Sequence, residues 1–293
     1  MQRTLSIADT SKIYFFVVYL FCYHGFLASE GSLSYLPLIM GKLIDEQTTY
    51  FGYRKVGETE KASLVKEVFD NVSNKYDLMN DVMSMGVHRL WKNVMIDWLA
   101  PKPGMTLLDV GGGTGDIPFR VLARLPKAHP GSITVVDINS AMLRRGREHA
   151  INRGIINSIK WINGDAENLP VNDMSVDAYT IAFCIRNVTH IARALSEARR
   201  VLKPGGRFLC LEFSHVTAPI LSKIYDAYSF KVLPMLGAQI AGDRTAYQYL
   251  AESIRQFPDQ SRFTTMILDS GLGNVKVRNL SGGIAALHSA WRI

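Results

Sequence analysis

In this chain of 293 residues the densest run of chemically suggestive side chains is Leu107-Leu108-Asp109-Val110-Gly111-Gly112-Gly113-Thr114-Gly115-Asp116. An apolar run enters a glycine loop that opens a helix. Glycines there let the backbone approach a ligand closely and make a tight turn. Dinucleotide enzymes use such a loop too, so three further features must discriminate. Asp109 stands just before the glycines, where a carboxylate would face a pyrophosphate unfavourably but suits an ammonium. The glycine spacing is GxGxG, not GxGxxG. Asp137 ends the next apolar run, at the position where a carboxylate accepts both hydroxyls of a ribose. Farther on, Gly164-Asp165-Ala166-Glu167-Asn168 follows a third run. Asp165 is placed to accept from an adenine amino group, and the Ala166 N–H to reach a ring nitrogen. Asp109, Gly111, Gly113, Thr114, Asp137, Asp165 and Ala166 together describe a cradle for S-adenosylmethionine. The alternative these residues leave open is a plain Rossmann fold with capped helices and turn acids. No metal is expected.

The elements that must position these groups alternate along the chain. Helical periodicity covers Glu60–Tyr76, with Leu64, Val65, Val68, Phe69, Val72 and Tyr76 on one face, and His88–Leu99, which Pro101 ends. Strands are expected at Met105–Val110, Ser132–Val136, Ser158–Ile162, Val176–Phe183 and Arg207–Phe213, the last opened by a Pro204-Gly205-Gly206 turn. Helices fall between them at Asp116–Leu125, from Ser140, and at His190–Leu202. Pro118 is tolerable because it lies in a first turn. Such alternation predicts a parallel, doubly wound α/β sheet. Ala246–Phe257 and Ser261–Ser270 read as further helices. Asn274–Leu280 and Ile284–Trp291, joined by Ser281-Gly282-Gly283, read as a closing antiparallel hairpin. The expected class is therefore a Rossmann-like, mostly parallel sheet of the class I methyltransferase type, with helices capping its N-terminal side.

Composition excludes other classes. With 47% hydrophobic, 10% aromatic and 20% charged residues, the chain is neither collagenous nor disordered. Cys22, Cys184 and Cys210 are too widely spaced for a disulfide framework or a CxxC knuckle, which suits a reducing compartment. Residues 1–47 differ from the remainder. Ile13–Ala28 is almost wholly apolar, short for a membrane span and long enough for a targeting segment. Residues 1–47 are thus expected to form a leader-like extension, and 48–293 the folded domain. The net charge is +7; residues 1–50 carry −1 and the remainder +8. The basic residues are scattered, which is the pattern of a solvated surface. They also fit an anionic membrane face, and no nucleic-acid signature accompanies them.

Two segments carry a resemblance. Tyr76-Asp77-Leu78-Met79-Asn80-Asp81-Val82-Met83-Ser84-Met85-Gly86-Val87-His88-Arg89-Leu90-Trp91 resembles the signature YDxMNxxxSxxxHxxW of the UbiE-type quinone C-methyltransferases. Arg200-Val201-Leu202-Lys203-Pro204-Gly205-Gly206-Arg207-Phe208-Leu209-Cys210-Leu211-Glu212-Phe213-Ser214 resembles their second signature, RVLKPGGxxxxLExS. Ile185-Arg186-Asn187-Val188-Thr189-His190 is similar to a third family segment, with Cys184 where a glycine is usual. The likeness spans roughly residues 48–293. The wording of 189–191, 241–243 and 247–250 is closest to the mitochondrial members, which methylate 2-methoxy-6-polyprenyl-1,4-benzoquinol in ubiquinone biosynthesis.

The resemblance implies methyl transfer from S-adenosylmethionine to a ring carbon of that quinol. Among the residues that match, Arg186 is expected to stabilise the phenolate as a fixed cation. Asn187 would hydrogen-bond a ring oxygen. Tyr76 and His88 would reach in from the capping helices, His88 as a base. Asp77 and Glu212 are expected as ion-pair partners, and Trp91 as core. The apolar, aromatic segment Pro219–Gly242, within a lid region 219–257, is expected to wall a polyprenyl-tail channel or to pack as a lid helix. Implied partners are the polyprenyl benzoquinol, the coenzyme Q biosynthetic complex and the matrix face of the mitochondrial inner membrane, touched peripherally. A homodimer is allowed. Demethylmenaquinol methylation and a non-catalytic scaffold that binds S-adenosylmethionine are the competing readings.

Overall fold

The computed structural model describes residues 48–72, 81, 84, 86–129, 131–217, 225 and 244–293. The leader-like segment, Tyr76, Asp77 and most of Pro219–Gly242 lie outside the described residues. The described chain runs as β1 (Thr48–Phe51), β2 (Arg54–Gly57), α1 (Glu58–Val72), α2 (His88–Leu99), β3 (Thr106–Val110), α3 (Asp116–Leu122), β4 (Ser132–Asp137), α4 (Ser140–Asn152), β5 (Ile159–Asn163), β6 (Val176–Ala182), a 3-10 turn (Ile185–Asn187), α5 (Ile191–Val201), β7 (Leu202–Phe213), α6 (Arg244–Gln256), α7 (Gln260–Asp269), β8 (Leu272–Leu280) and β9 (Ala285–Arg292).

Seven strands form one sheet in the order β5-β4-β3-β6-β7-β9-β8. Strands β3 to β7 are parallel, and β9 pairs antiparallel with both β7 and β8. This is the expected mostly parallel sheet with an antiparallel end. The order reverses at β3, which pairs with β4 on one side and β6 on the other. Ligands of such sheets bind outside the carboxyl ends of the strands at that switch point. β3 is buried from Leu107 to Val110, because helices cover both faces of the sheet, and such strands read as continuous apolar runs. Its register sets Asp109 between Val135 and Thr180.

The helices form where periodicity predicts, with local signals setting their ends. α2 buries His88, Trp91, Lys92, Met95, Ile96 and Leu99, and ends where Ala100 turns left-handed ahead of Pro101. Trp91 is core: it meets Phe213 edge-on at 6.0 Å and donates its indole N–H to Ser281 at 3.0 Å. α4 begins at Asn139, whose side chain accepts from the Ala141 and Met142 N–H groups. α3 is shorter than expected, stopping at Leu122. β7 is longer: the Pro204-Gly205-Gly206 turn lies inside it, and a register shift between Val176 and Ala178 absorbs it. The hairpin β1–β2 had no counterpart in the expectations, although Gly52 at φ +56° marks its turn. Among the described residues, no helix is long and apolar enough to cross a membrane.

Asn139 joins three pieces. It caps α4, its backbone N–H donates to Asp137 at 2.8 Å, and its side-chain amide donates to Asp70 of α1 at 2.8 Å. We expect Asn139→Ala to lower the unfolding free energy by about 1–2 kcal/mol in urea titration, the usual effect of a lost cap plus one further bond. An unchanged midpoint and slope would contradict this.

Candidate functional site

The glycine loop is left-handed at Gly111, Gly113 and Gly115, with φ of +61°, +51° and +85°. A side chain is excluded there by contact as well as by backbone. A Cβ on Gly111 would overlap the Cys184 sulfur, and one on Gly112 would lie 2.5 Å from Asp109 Oδ2. Cys184, which replaces the family's glycine, is thus packed directly onto the loop. Burial pushes its thiol well above the ordinary range.

Under the loop, Asp109 is buried. Thr180 Oγ1 donates to its Oδ1 at 2.6 Å. Its Oδ2 has no hydrogen-bond partner among the described residues. Burial pushes the carboxyl up to about 7, with the Thr180 hydrogen bond and Lys92 opposing the shift. Asp137 closes β4 and accepts from Gly113 N–H at 2.9 Å and Asn139 N–H at 2.8 Å, each on a different oxygen. Burial lifts it to about 6 against those two bonds. A carboxylate oxygen has lone pairs left after one bond, so both ribose-facing positions remain usable. A buried Asp109 and a half-buried Asp137, both raised above the ordinary carboxylate range, favour a cationic guest that stabilises their ionised forms.

The main cavity runs from Asp137 along the carboxyl ends of the strands, and Asp109 lines the small hollow beneath the loop instead. Gly111, Gly113, Asp137, Asp165, Ala166 and Asn187 line it together, with apolar walls from Val65, Phe69, Met142 and Phe183. Asp165 is held by the Glu167 N–H at 2.9 Å, at the end farthest along the sheet from Asp109. Thr114 lies beside the loop and lines two smaller hollows rather than this cavity. The residues fit S-adenosylmethionine: an orphaned carboxylate oxygen for the ammonium, Asp137 for the ribose, and apolar walls with Asp165 and Ala166 for the adenine.

The structure places the remaining candidates differently from the expectation. Arg186 does not line the cavity. Its side chain is 2% exposed and forms a 2.8 Å pair with Glu212. Its guanidinium also donates to the Phe183 carbonyl at 2.7 Å. Glu212 is raised by burial, against the pull of Arg186. Arg186 is therefore a charge matched by its neighbour, and it pins the 3-10 turn to β7. Asn187 sits in the cavity wall one residue on. Tyr249 of α6 donates to Asn187 Oδ1 at 2.9 Å, and Phe51 stacks on Tyr249 at 4.1 Å. His88 does not reach the main cavity. It is buried at the start of α2, where its Nδ1 meets Ser84 Oγ at 3.0 Å, and it borders a separate hollow with Thr114, Asp116 and Arg120.

Sequence reasoning missed Thr180, Lys92, Tyr249 and the His190 bridge. Thr180 is a polar residue inside a buried strand, and Lys92 a cation on the buried face of α2. Both breaks in pattern are visible in the sequence. His190 has no such signal. Its Nδ1 meets Glu167 at 2.6 Å and its Nε2 meets Glu58 at 2.9 Å, which fastens α1 to the rim of the cavity.

This sheet order with this site defines a class I S-adenosylmethionine-dependent methyltransferase. Solved structures share the fold. The complex of a methyltransferase with its Trm112 activator from Haloferax volcanii aligns with a TM-score of 0.56 at 16% identity, covering 76% of this chain and 97% of that one. An S-adenosylmethionine-dependent methyltransferase of Thermotoga maritima aligns at 0.55 and 20% identity, covering 78% and 99%. Residues 54–292 match the ubiE/COQ5 methyltransferase family. The ubiquinone/menaquinone biosynthesis C-methyltransferase UbiE of Brucella abortus (strain S19) is 55% identical over 246 residues, covering 83% of this chain and 90% of that protein. The chain belongs to the ubiE/COQ5 methyltransferase family, and its methyl donor is S-adenosylmethionine.

The raised carboxyls make a pH signature. In the empty protein Asp109 holds a proton between about pH 4 and 7 that the unfolded chain has lost. Its contribution to stability is therefore complete below the unfolded value and is lost as pH rises to about 7, a change of about 4 kcal/mol. Asp109→Asn should then stabilise the empty protein at pH 8 and not at pH 4, as read by urea titration. A guest cation needs the ionised form, so affinity for S-adenosylhomocysteine should fall as pH drops from 8 to 6, by up to about tenfold per unit below 7. Calorimetric binding that is flat over this range would refute the assignment of Asp109.

Proposed function

We propose that this protein transfers the methyl group of S-adenosylmethionine to a ring carbon of 2-methoxy-6-polyprenyl-1,4-benzoquinol in ubiquinone biosynthesis. The observation that carries the reading is the Tyr249–Asn187 contact at the apolar wall of the cavity. Tyr249 occupies the amide oxygen of Asn187, which leaves the Nδ2–H donors for a ring oxygen. A neutral phenol carbon is a poor nucleophile, and a phenol titrates near 10. A donor that binds the oxygen more strongly as phenolate lowers that value and raises electron density on the adjacent carbon. About 3 units of lowering correspond to roughly 4 kcal/mol, which the fixed Asn187 donor and the exclusion of water would supply. S-adenosylmethionine supplies a methyl group activated by its sulfonium. Phe69, Phe183 and Val188 exclude water around the ring. Arg186 contributes by holding the turn that carries Asn187.

The benzoquinol is favoured by the wording of 189–191 and 247–250, which includes Tyr249 itself. The same reading carries the location: peripheral, on the matrix side of the mitochondrial inner membrane, in association with the coenzyme Q biosynthetic complex. The basic body is its support, while the apolar run at 13–28 lacks the basic composition of a mitochondrial leader. The Brucella relative's name covers both quinone pathways, so demethylmenaquinol is the second acceptor to test.

Purified full-length protein would receive methyl-labelled S-adenosylmethionine with each quinol, kept reduced. Label is expected in the benzoquinol ring at the higher kcat/KM. Preferential label in demethylmenaquinol would overturn the pathway, and none in either, with cofactor still bound, would overturn the activity. Tyr249→Phe should lower kcat about 10-fold with cofactor affinity unchanged, since it frees the Asn187 amide without touching the cradle. Arg186→Ala should lose activity together with about 3–5 kcal/mol of stability, because it strands Glu212 in the interior. Loss of activity at full stability would instead make Arg186 a direct cation on the substrate.

A further inference from the structure

Beneath the glycine loop lies a small hollow bounded by Lys92, Asp109, Gly111, Gly112, Gly113, Thr114, Asp116, Ile117 and Ala182. Lys92 is only 5% exposed, and neither the fold nor the methyl transfer so far accounts for it. Burying an ammonium is expensive unless its charge is fully matched. Its match here is incomplete. Nζ meets Asp116 Oδ2 at 2.8 Å, and Asp116 is the only hydrogen-bonding partner of Lys92 among the described residues. That carboxylate is shared. Arg120 binds both of its oxygens, at 2.8 and 3.3 Å. One carboxylate thus serves two cations, and Lys92 keeps N–H donors that Asp116 does not use. Across it, the orphaned Oδ2 of Asp109 offers negative charge. The hollow presents a cation with spare donors and a carboxylate to the same small volume, next to backbone that only glycine permits.

We propose that Lys92 recognises the carboxylate of the cofactor's amino-acid end, so that Lys92 and Asp109 together read a zwitterion. The ammonium of the ligand meets Asp109 Oδ2. Its carboxylate takes N–H donors of Lys92 that Asp116 does not use, in a charge-assisted hydrogen bond. Each guest charge then finds its opposite, and the spare donors of the buried lysine are used when the ligand is present. Phe183, whose ring centre lies 5.9 Å from Nζ, walls the same side and keeps the lysine in place. The selectivity that follows is for α-amino acids. An adenosyl thioether with the amine but no carboxylate leaves the remaining Lys92 donors unused, and binds more weakly. The inference rests on S-adenosylmethionine as the donor.

The test is binding, not turnover. Calorimetric Kd values would be measured on the full-length protein for S-adenosylhomocysteine, its decarboxylated analogue and 5′-methylthioadenosine. The wild type is expected to prefer S-adenosylhomocysteine over the decarboxylated analogue by about 10–100-fold, the usual range for a hydrogen bond to a charged group. Lys92→Met should bring that preference below about 3-fold while leaving the 5′-methylthioadenosine Kd unchanged. Lys92→Arg, which keeps the charge, should retain most of the preference. The proposal is overturned if Lys92→Met keeps the full preference. Equal weakening of all three ligands in Lys92→Met, or equal loss in the methionine and arginine variants, makes Lys92 a packing residue and also overturns it. Failure of the wild type to bind S-adenosylhomocysteine would strike the cofactor assignment instead, which separates the two.

Discussion

A carboxylate at the end of the central strand has to be buried without being fully paired, and much of the structure follows from that constraint. Asp109 lies where β3 meets both β4 and β6, so it is dry by construction. One oxygen is satisfied from the neighbouring strand by Thr180, and the other is left toward the glycine loop. The low dielectric that makes an unpaired oxygen costly also makes it a strong site for a cation. The glycines above it are required for the same reason. Any Cβ at Gly112 would fill the space in front of Asp109 Oδ2.

The elements outside the central sheet hold the acceptor side of the cavity. α1 is tied to the sheet at two points, through Asn139 to Asp70 and through Glu58 to His190. The hairpin β1–β2 supplies Phe51, which stacks on Tyr249 and so orients Asn187 across three separate elements. Each of these contacts joins residues at least 60 positions apart in the chain. The donor side, by contrast, is built from consecutive strand-to-helix turns. Cofactor recognition is therefore a local property of the fold, and acceptor recognition a long-range one.

Charge is organised differently on the two sides. Around the cofactor, Asp109 keeps an unpartnered oxygen and Lys92 keeps spare donors that a ligand can fill. Behind the acceptor, Arg186 and Glu212 cancel one another at 2.8 Å, both nearly inaccessible to solvent. A matched buried pair adds little net stability but is costly to break, so it acts as a rigid strut for the turn that presents Asn187. The strut explains why an arginine occupies a rim position without facing the cavity.

The sheet and its closing hairpin are legible in the amino-acid sequence, because they rest on local patterns. Apolar runs alternate with amphipathic helices, and Asp109, Asp137 and Asp165 stand at consecutive strand ends where the α/β topology must gather them. His88 coincides as the first residue of α2 in both readings. Only the tertiary structure decided where the acceptor-side groups point. Arg186 and His88 stand in the right segments, yet one turns to Glu212 and the other to Ser84. Spacing along a chain fixes which end of the sheet a residue reaches, but not which neighbour claims its side chain. A buried charge goes to the partner that relieves its desolvation, and that partner, Glu212 for Arg186 or Asp116 for Lys92, comes from an element far away in sequence.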